Sequence, residues 1–211
     1  MEAQRKVTCF VTRGSGEDAQ LLVHWHTGAG TQVPAGTVEE GESFDEAAIR
    51  EVREETDLEG LQLLRRLGSR TSDVPEGQAV LRREESLKIR PAADGPVTSW
   101  RLGRVAVDVV ARDTNFARVL YQESVTEDGS ELVVARFEGW VSADNLLYRQ
   151  ERYFYQFHAS GDAPDRWTTI ENDRYEFHLY WVPLVPKPSL LIAPQQQWLD
   201  EFYDALLASH L

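Results

Sequence analysis

The 211-residue chain has a single cysteine, Cys9, so it can close no internal disulfide. That suits a reducing compartment. It has no apolar run of the ~18 residues that a membrane-crossing helix needs. Its first residues show no charged segment leading into a short apolar core, as a secretory signal would. The expectation is therefore a cytoplasmic protein with no membrane partner. Positive charge is also scarce: 22 Lys and Arg stand against 35 Asp and Glu, a net charge of −13. A chain of that sign is a poor binder of long nucleic acid or of an anionic membrane surface. If its substrate is negative, a metal ion or local Arg and Lys must hold it. No long-period repeat or low-complexity tract is found. What remains is 42% hydrophobic and 27% charged, a balance that buries a core. The length suits one large domain, or a core domain with a substantial insertion.

The most informative stretch runs from Gly36 to Leu58, a glycine-led loop entering a helix rich in carboxylates. Ser43 followed by Glu46 forms a capping box, so the helix should start there, with Asp45 and Glu46 favoured in its first turn by the helix dipole. Phe44, Ala48 and Val52 recur every fourth residue and predict the buried stripe. Glu51, Glu54 and Glu55 stand at i, i+3 and i+4 and therefore project together. Their mutual repulsion costs an isolated helix a few tenths of a kcal/mol per pair. It becomes useful once a hard cation sits among the oxygens, and Mg²⁺ or Mn²⁺ fits that chemistry. A Glu-rich helix is more commonly just a solvated face. Here the fixed spacing of Gly36, Glu42 and the Arg50-Glu51 pair argues against that, because solvation requires no such spacing.

These residues resemble the signature of the Nudix hydrolases: glycine, five residues, glutamate, seven residues, then Arg-Glu-aliphatic-x-Glu-Glu-x-Gly-aliphatic. Gly36, Glu42, Arg50, Glu51, Val52, Glu54, Glu55 and Leu58 all match. Asp57 replaces the glycine that ends the family's helix. A slightly shifted helix end is expected there, with Gly60 as a substitute cap. The resemblance implies an α/β fold, an α/β/α sandwich around a mixed sheet. It also implies a Mg²⁺-dependent pyrophosphohydrolase that cleaves the diphosphate of a nucleoside diphosphate linked to another group: a nucleoside triphosphate, ADP-ribose or a nucleotide sugar. In that pattern Glu51, Glu54, Glu55 and the Ala35 carbonyl are metal ligands. Arg50, Glu51 and Glu54 are catalytic, with Glu51 serving as third ligand or base and Arg50 holding it in place. Gly36 and Glu42 support the motif, Glu42 bracing the loop or reaching the metal through water. Glu171 and Asp173 are candidates for a base outside the motif. The alternative is a catalytically inactive Nudix-fold nucleotide sensor or interaction module.

The remaining chain orders itself around this motif. Strands are predicted at Lys6 to Arg13 and Leu21 to His26, joined by a hairpin-like turn at Gly14 to Gly16, with further strands at Thr31 to Ala35 and Leu61 to Leu67. Two aromatic strands follow at Tyr148 to His158 and Arg174 to Val182, separated by the turn-rich Gly161 to Asp165. A terminal helix is predicted from Pro194 to Ala208. Residues 1–69 and 148–211 thus read as the Nudix domain. Residues 70–147 read as an inserted β-meander with strands at Arg104 to Ala111, Ala117 to Gln122 and Glu131 to Val141, preceded by the charged stretch Asp73 to Pro96. The insertion could cap the site, form a homodimer contact, or merely extend the sheet edge. Cys9 reads as a core strand residue. His24 and His26 share a strand face and could bind a transition metal as a pair, although a polar strand face is the stronger reading. Trp25, Trp100, Trp140, Tyr153, Trp167 and Tyr180 are candidates for stacking on a nucleobase.

Overall fold

The computed structural model describes residues 2–26, 29–127, 130–159, 163–171 and 175–208. Strands β1 (Gln4–Arg13), β2 (Gln20–His26), β3 (Gly30–Gln32) and β4 (Ala35–Thr37) precede helix α1 (Phe44–Thr56) and β5 (Leu61–Asp73). The middle of the chain carries β6 (Gln78–Leu81), β7 (Glu85–Lys88), β8 (Val97–Leu102) and β9 (Ala106–Arg112). It continues with β10 (Phe116–Glu127), β11 (Ser130–Ser142) and the short β12 (Leu146–Leu147). Then come β13 (Arg149–Ala159), β14 (Arg166–Glu171), β15 (Tyr175–Pro183) and helix α2 (Ala193–Ala208).

The chain divides into two compact units, residues 5–70 with 152–211, and residues 1–4 with 71–151. The first is built on the sheet β14-β15-β2-β1-β13-β5, with β3 added to β2 and β4 to β1. Side-chain alternation gives that sheet two apolar faces. Val7, Cys9 and Val11 of β1 join Ala48 and Val52 of α1 in one core. Phe10 of the same strand joins Leu199, Phe202 and Leu206 of α2 in the other. This is the expected α/β/α sandwich.

The second unit carries the sheet β12-β6-β9-β10-β11-β7-β8 around its own core of Leu87, Val107, Val119 and Val141. The three strands expected as a meander are β9, β10 and β11, which pair in sequence; β7 and β8 also pair in sequence, while β6 adds to β9 and β7 to β11. The charged stretch from Asp73 to Pro96 contains β6 and β7, and β8 follows it.

Three further expectations change. The link between β1 and β2 holds a short 3-10 turn at Gly16–Asp18 rather than a tight hairpin turn alone. The strand expected from Thr31 to Ala35 breaks into β3 and β4 at Val33-Pro34. Pro34 has no N–H to give a ladder, and its carbonyl instead accepts from the Cys9 N–H at 2.8 Å. Helix α1 is not shifted at its end. Asp57 itself takes the left-handed conformation (φ 53°, ψ 23°), and its N–H bonds the Arg53 carbonyl. An aspartate tolerates this region better than most residues, but only glycine enters it without a Cβ penalty. Asp57→Gly is therefore expected to raise unfolding stability by about 0.5–1 kcal/mol. Urea denaturation checks this, and an unchanged or lower midpoint would show that the aspartate side chain compensates for the strained backbone.

Candidate active site

Both ends of α1 are fixed before its carboxylates are placed. At the start, Ser43 Oγ accepts from the Glu46 N–H while the Glu46 carboxylate accepts from the Ser43 N–H, completing the capping box. Tyr155 Oη of β13 donates to Asp45 Oδ1 at 2.6 Å. At the other end, β14 supplies partners for the last-turn carbonyls, which have none within the helix. Thr169 Oγ1 donates to the Glu55 carbonyl and Trp167 Nε1 to the Thr56 carbonyl, both at 2.7 Å.

The helix thus held presents Glu51 and Glu55, each only 6% exposed, and the half-exposed Glu54. Burying carboxylates costs heavily unless they are paired. Arg50 provides much of that pairing. Its Nε and Nη2 grip both oxygens of Glu42 at 2.9 and 3.0 Å, and Nη1 reaches Glu51 Oε1 at 2.9 Å and Glu54 Oε2 at 3.0 Å. Nη2 also donates to the Thr37 carbonyl at 3.1 Å. The hydrogen bonds with Glu42 push the guanidinium pKa above its ordinary value, and the same bonds lower that of Glu42. Glu42 Oε2 also accepts from the Glu39 N–H at 2.9 Å, so this carboxylate fastens the loop before the helix.

Strand β4 forms the opposite wall. The Ala35 N–H donates to Glu55 Oε2 at 3.3 Å. Gly36 lies directly against Glu51, and a Cβ on that glycine would overlap its carboxylate. Among the described residues no three His, Cys, Asp or Glu side chains form a ready-made metal cage. The oxygen-only set of Glu51, Glu54 and Glu55, with a floor cleared of side chain at Gly36, still fits a hard divalent cation. Such an ion keeps several waters and takes one or two carboxylates, completing its shell with substrate phosphates.

Two cations escaped the sequence reading. Lys6 lies within electrostatic reach of Glu51 and Glu55, and its pKa is pushed down to about 8 by burial and by Arg152. Arg152 is held by Thr8 Oγ1 at 2.8 Å and lies over the Trp198 ring at 4.5 Å, and its burial lowers its pKa to about 10. The available signal was a lysine and an arginine set into otherwise apolar or aromatic strands. Beside Glu55, a cleft of about 220 Å³ is lined by His24, His26, Gln32, Val33 and Phe177. His24 Nδ1 stands 3.7 Å from Glu55 Oε2. Burial, then His26, lowers the His24 pKa to about 4, so at neutral pH this contact is not an ion pair.

The candidate stackers are dispersed. Tyr153 stacks on Phe44, Trp167 packs in the core beside α1, and Tyr180 Oη meets Thr31 Oγ1 at 3.5 Å. Trp25 lies on the sheet against His178, while Trp100 and Trp140 belong to the β-rich unit. None of the six lines the cleft; the aromatic there is Phe177, which alternation alone marks as core. Of the proposed outside bases, Asp173 lies outside the described residues, and Glu171 is described only as the last backbone position of β14.

A family model for the NUDIX domain matches residues 2–156. The chain belongs to the Nudix family. It is accordingly a hydrolase acting on phosphoric anhydride bonds. Solved structures similar to this Nudix chain include an Ap4A hydrolase from C. elegans at 11% identity, covering 98% of this chain and 99% of that one with a TM-score of 0.42. A Nudix-family hydrolase from Clostridium perfringens gives 12% identity, the same coverages and a TM-score of 0.41. No curated protein matches.

The contact of Gly36 with Glu51 makes a direct prediction for this Nudix site. Gly36→Ala must displace either the strand or the carboxylate, and a loss of about 1–3 kcal/mol in unfolding stability is expected. Chemical denaturation measures it, and a variant as stable as the parent would show that Glu51 does not rest on β4.

Proposed function

We propose that the chain is a Mg²⁺- or Mn²⁺-dependent pyrophosphohydrolase that cleaves the diphosphate of a nucleoside diphosphate linked to another group, such as a nucleoside triphosphate, ADP-ribose or a nucleotide sugar. The observation that supports this best is the trio Glu51, Glu54 and Glu55 on one face of α1, tied together at Arg50 and set against the side-chain-free Gly36. Glu54 and Glu55 are the principal residues to hold the cation, with Glu51 as a third ligand or the base and the Ala35 carbonyl as a further donor. A divalent ion bound there supplies charge neutralisation at the phosphate oxygens.

The protein's own residues do the rest. Arg50 fixes Glu51 and Glu54 by charge-assisted hydrogen bonds, so neither carboxylate must reorganise on the way to the transition state. In its role as base, the alternative to that of third ligand, Glu51 takes a proton from the attacking water as the water oxygen bonds to phosphorus. The anhydride P–O bond breaks, and its electron pair leaves with the departing phosphate.

Among the described residues no helix is long and apolar enough to cross a membrane. A cytoplasmic enzyme of small nucleotides remains our assignment.

Phosphate release from a panel of nucleoside triphosphates, ADP-ribose and nucleotide sugars tests this proposal. Release should require Mg²⁺ or Mn²⁺, stop on chelation, and fall about 100-fold or more in Glu54→Gln and Glu55→Gln proteins that keep their circular dichroism. Silence across the panel, with one nucleotide still raising the melting temperature, would replace the enzyme by a nucleotide sensor.

A further inference from the structure

Strands β10 and β11 form a long hairpin in the β-rich unit, and neighbouring strands hold only its root. Strand β9 pairs with β10 at Ala117 to Leu120, and β7 pairs with β11 at Trp140. Beyond those positions the described residues of the hairpin form a two-stranded ribbon. Such a ribbon is marginal in water unless one of its faces is covered. Cross-strand partners share a face, and so do alternate residues along a strand. Val119 and Val141 belong to the core and mark the inner face. The outer face carries Arg118, Leu120, Gln122 and Ser124 of β10, opposite Trp140, Glu138, Arg136 and Val133 of β11. Val134 is an extra residue between the partners of Glu123 and Ser124, and this one-residue slip is what turns Val133 to the outer face.

Two features of that face fit each other. Far along the ribbon, Leu132, Val133 and Val134 are three consecutive half-exposed aliphatic residues. A run of this kind is unfavourable on a surface that meets only water. At the root lies a recess of about 360 Å³ whose lining includes Lys88, Ile89, Thr98, Arg118, Glu138 and Trp140. Trp140 and the exposed Ile89 are its apolar part. Arg118 binds Glu138 at 2.7 Å, so Lys88 leaves the recess net positive, and the exposed Arg136 adds to it on the same face. The ribbon beyond Gln122 has the opposite sign: its sequence holds Glu123, Glu127, Asp128 and Glu131 with no Lys or Arg between them. An acidic, aliphatic ribbon complements a basic, half-apolar recess. The two cannot meet within one chain, because Val133 and Trp140 are roughly 24 Å apart along β11 at the rise of a strand.

We propose that a second copy of this chain covers the ribbon. Two β10-β11 ribbons pack outer face to outer face about a two-fold axis, running antiparallel, and Val133 of each copy enters the recess at the root of the other. The axis makes the fit reciprocal, so one knob and one recess per chain close the pair without leaving either open. Charge sets the direction: antiparallel packing lays the acidic end of each ribbon over Lys88 and Arg136 of the other copy, whereas parallel packing would bring the acidic ends together. The proposal is independent of the hydrolase reading.

The test uses the full chain with a cysteine at either end of the fit, Val133→Cys or Ile89→Cys, and a short bis-maleimide linker. Cys9 is buried and does not compete. The two variants mixed should give a cross-linked pair, while each alone should not, because like positions lie far apart in an antiparallel dimer. Either variant alone cross-linking as well as the mixture would overturn the arrangement. Sedimentation equilibrium of the unaltered chain is the second measurement. A dimer is expected, and Val133→Asp should raise its dissociation constant about tenfold or more with the circular dichroism unchanged. A parent that sediments as a monomer at its highest soluble concentration, or a dimer whose dissociation constant moves less than twofold in Val133→Asp, would overturn the proposal.

Discussion

The Arg50 guanidinium is the joint on which the site depends. One planar cation binds Glu42 of the loop, Glu51 and Glu54 of the helix, and the Thr37 carbonyl that ends β4. Charge-assisted bonds of this kind are roughly twice as strong as neutral ones, and the fork geometry of arginine gives them direction as well as strength. Removing one partner of a buried ion pair generally costs about 3–5 kcal/mol, because the other charge is left uncompensated. The largely buried Glu51 is the carboxylate for which the Arg50 contact matters most. Arginine thus lets these acidic side chains stand together in the folded protein.

Everything around that joint holds it still. The sheet of the first unit places a core on each side, so α1 sits on a backing stiffened by α2 from behind. Tyr155 fixes the first turn of α1, and Trp167 and Thr169 fix the last, so the carboxylates ride on a helix tied at both ends. Gly36 then lets β4 approach Glu51 with no side chain between them. Arg50 engages both Glu51 and Glu54, so their carboxylates are held in place together.

How much of this was legible in the sequence depended on the range of the interaction responsible. The capping box, the apolar stripe and the carboxylate face of α1 are set by neighbours three and four residues apart, and each formed as spaced. The α/β/α layering followed from alternating strands and an amphipathic terminal helix. Elements whose stability comes from distant partners were harder to read. Strand β14 is short and polar, and it is stabilised by pairing with β15 and by capping α1 from afar. Strands β6 and β7 hide in a charged stretch because their partners, β9 and β11, lie well downstream. Phe177 shows the same limit at the site: alternation identifies an inward side chain but not whether that inward position borders core or cleft. Asp57 erred in the other direction, since local preference for glycine was overridden by a helix end that tertiary contacts had already fixed.

The claim that the Arg50-centred carboxylates form a divalent-cation site is tested most directly by titrating Mn²⁺ into the protein and following free ion by electron paramagnetic resonance. One bound Mn²⁺ per chain is expected, displaced by Mg²⁺, strengthened by a diphosphate compound and lost in Glu54→Gln and Glu55→Gln. Binding that survives both substitutions unchanged would place the cation elsewhere and contradict the assignment of this helix face.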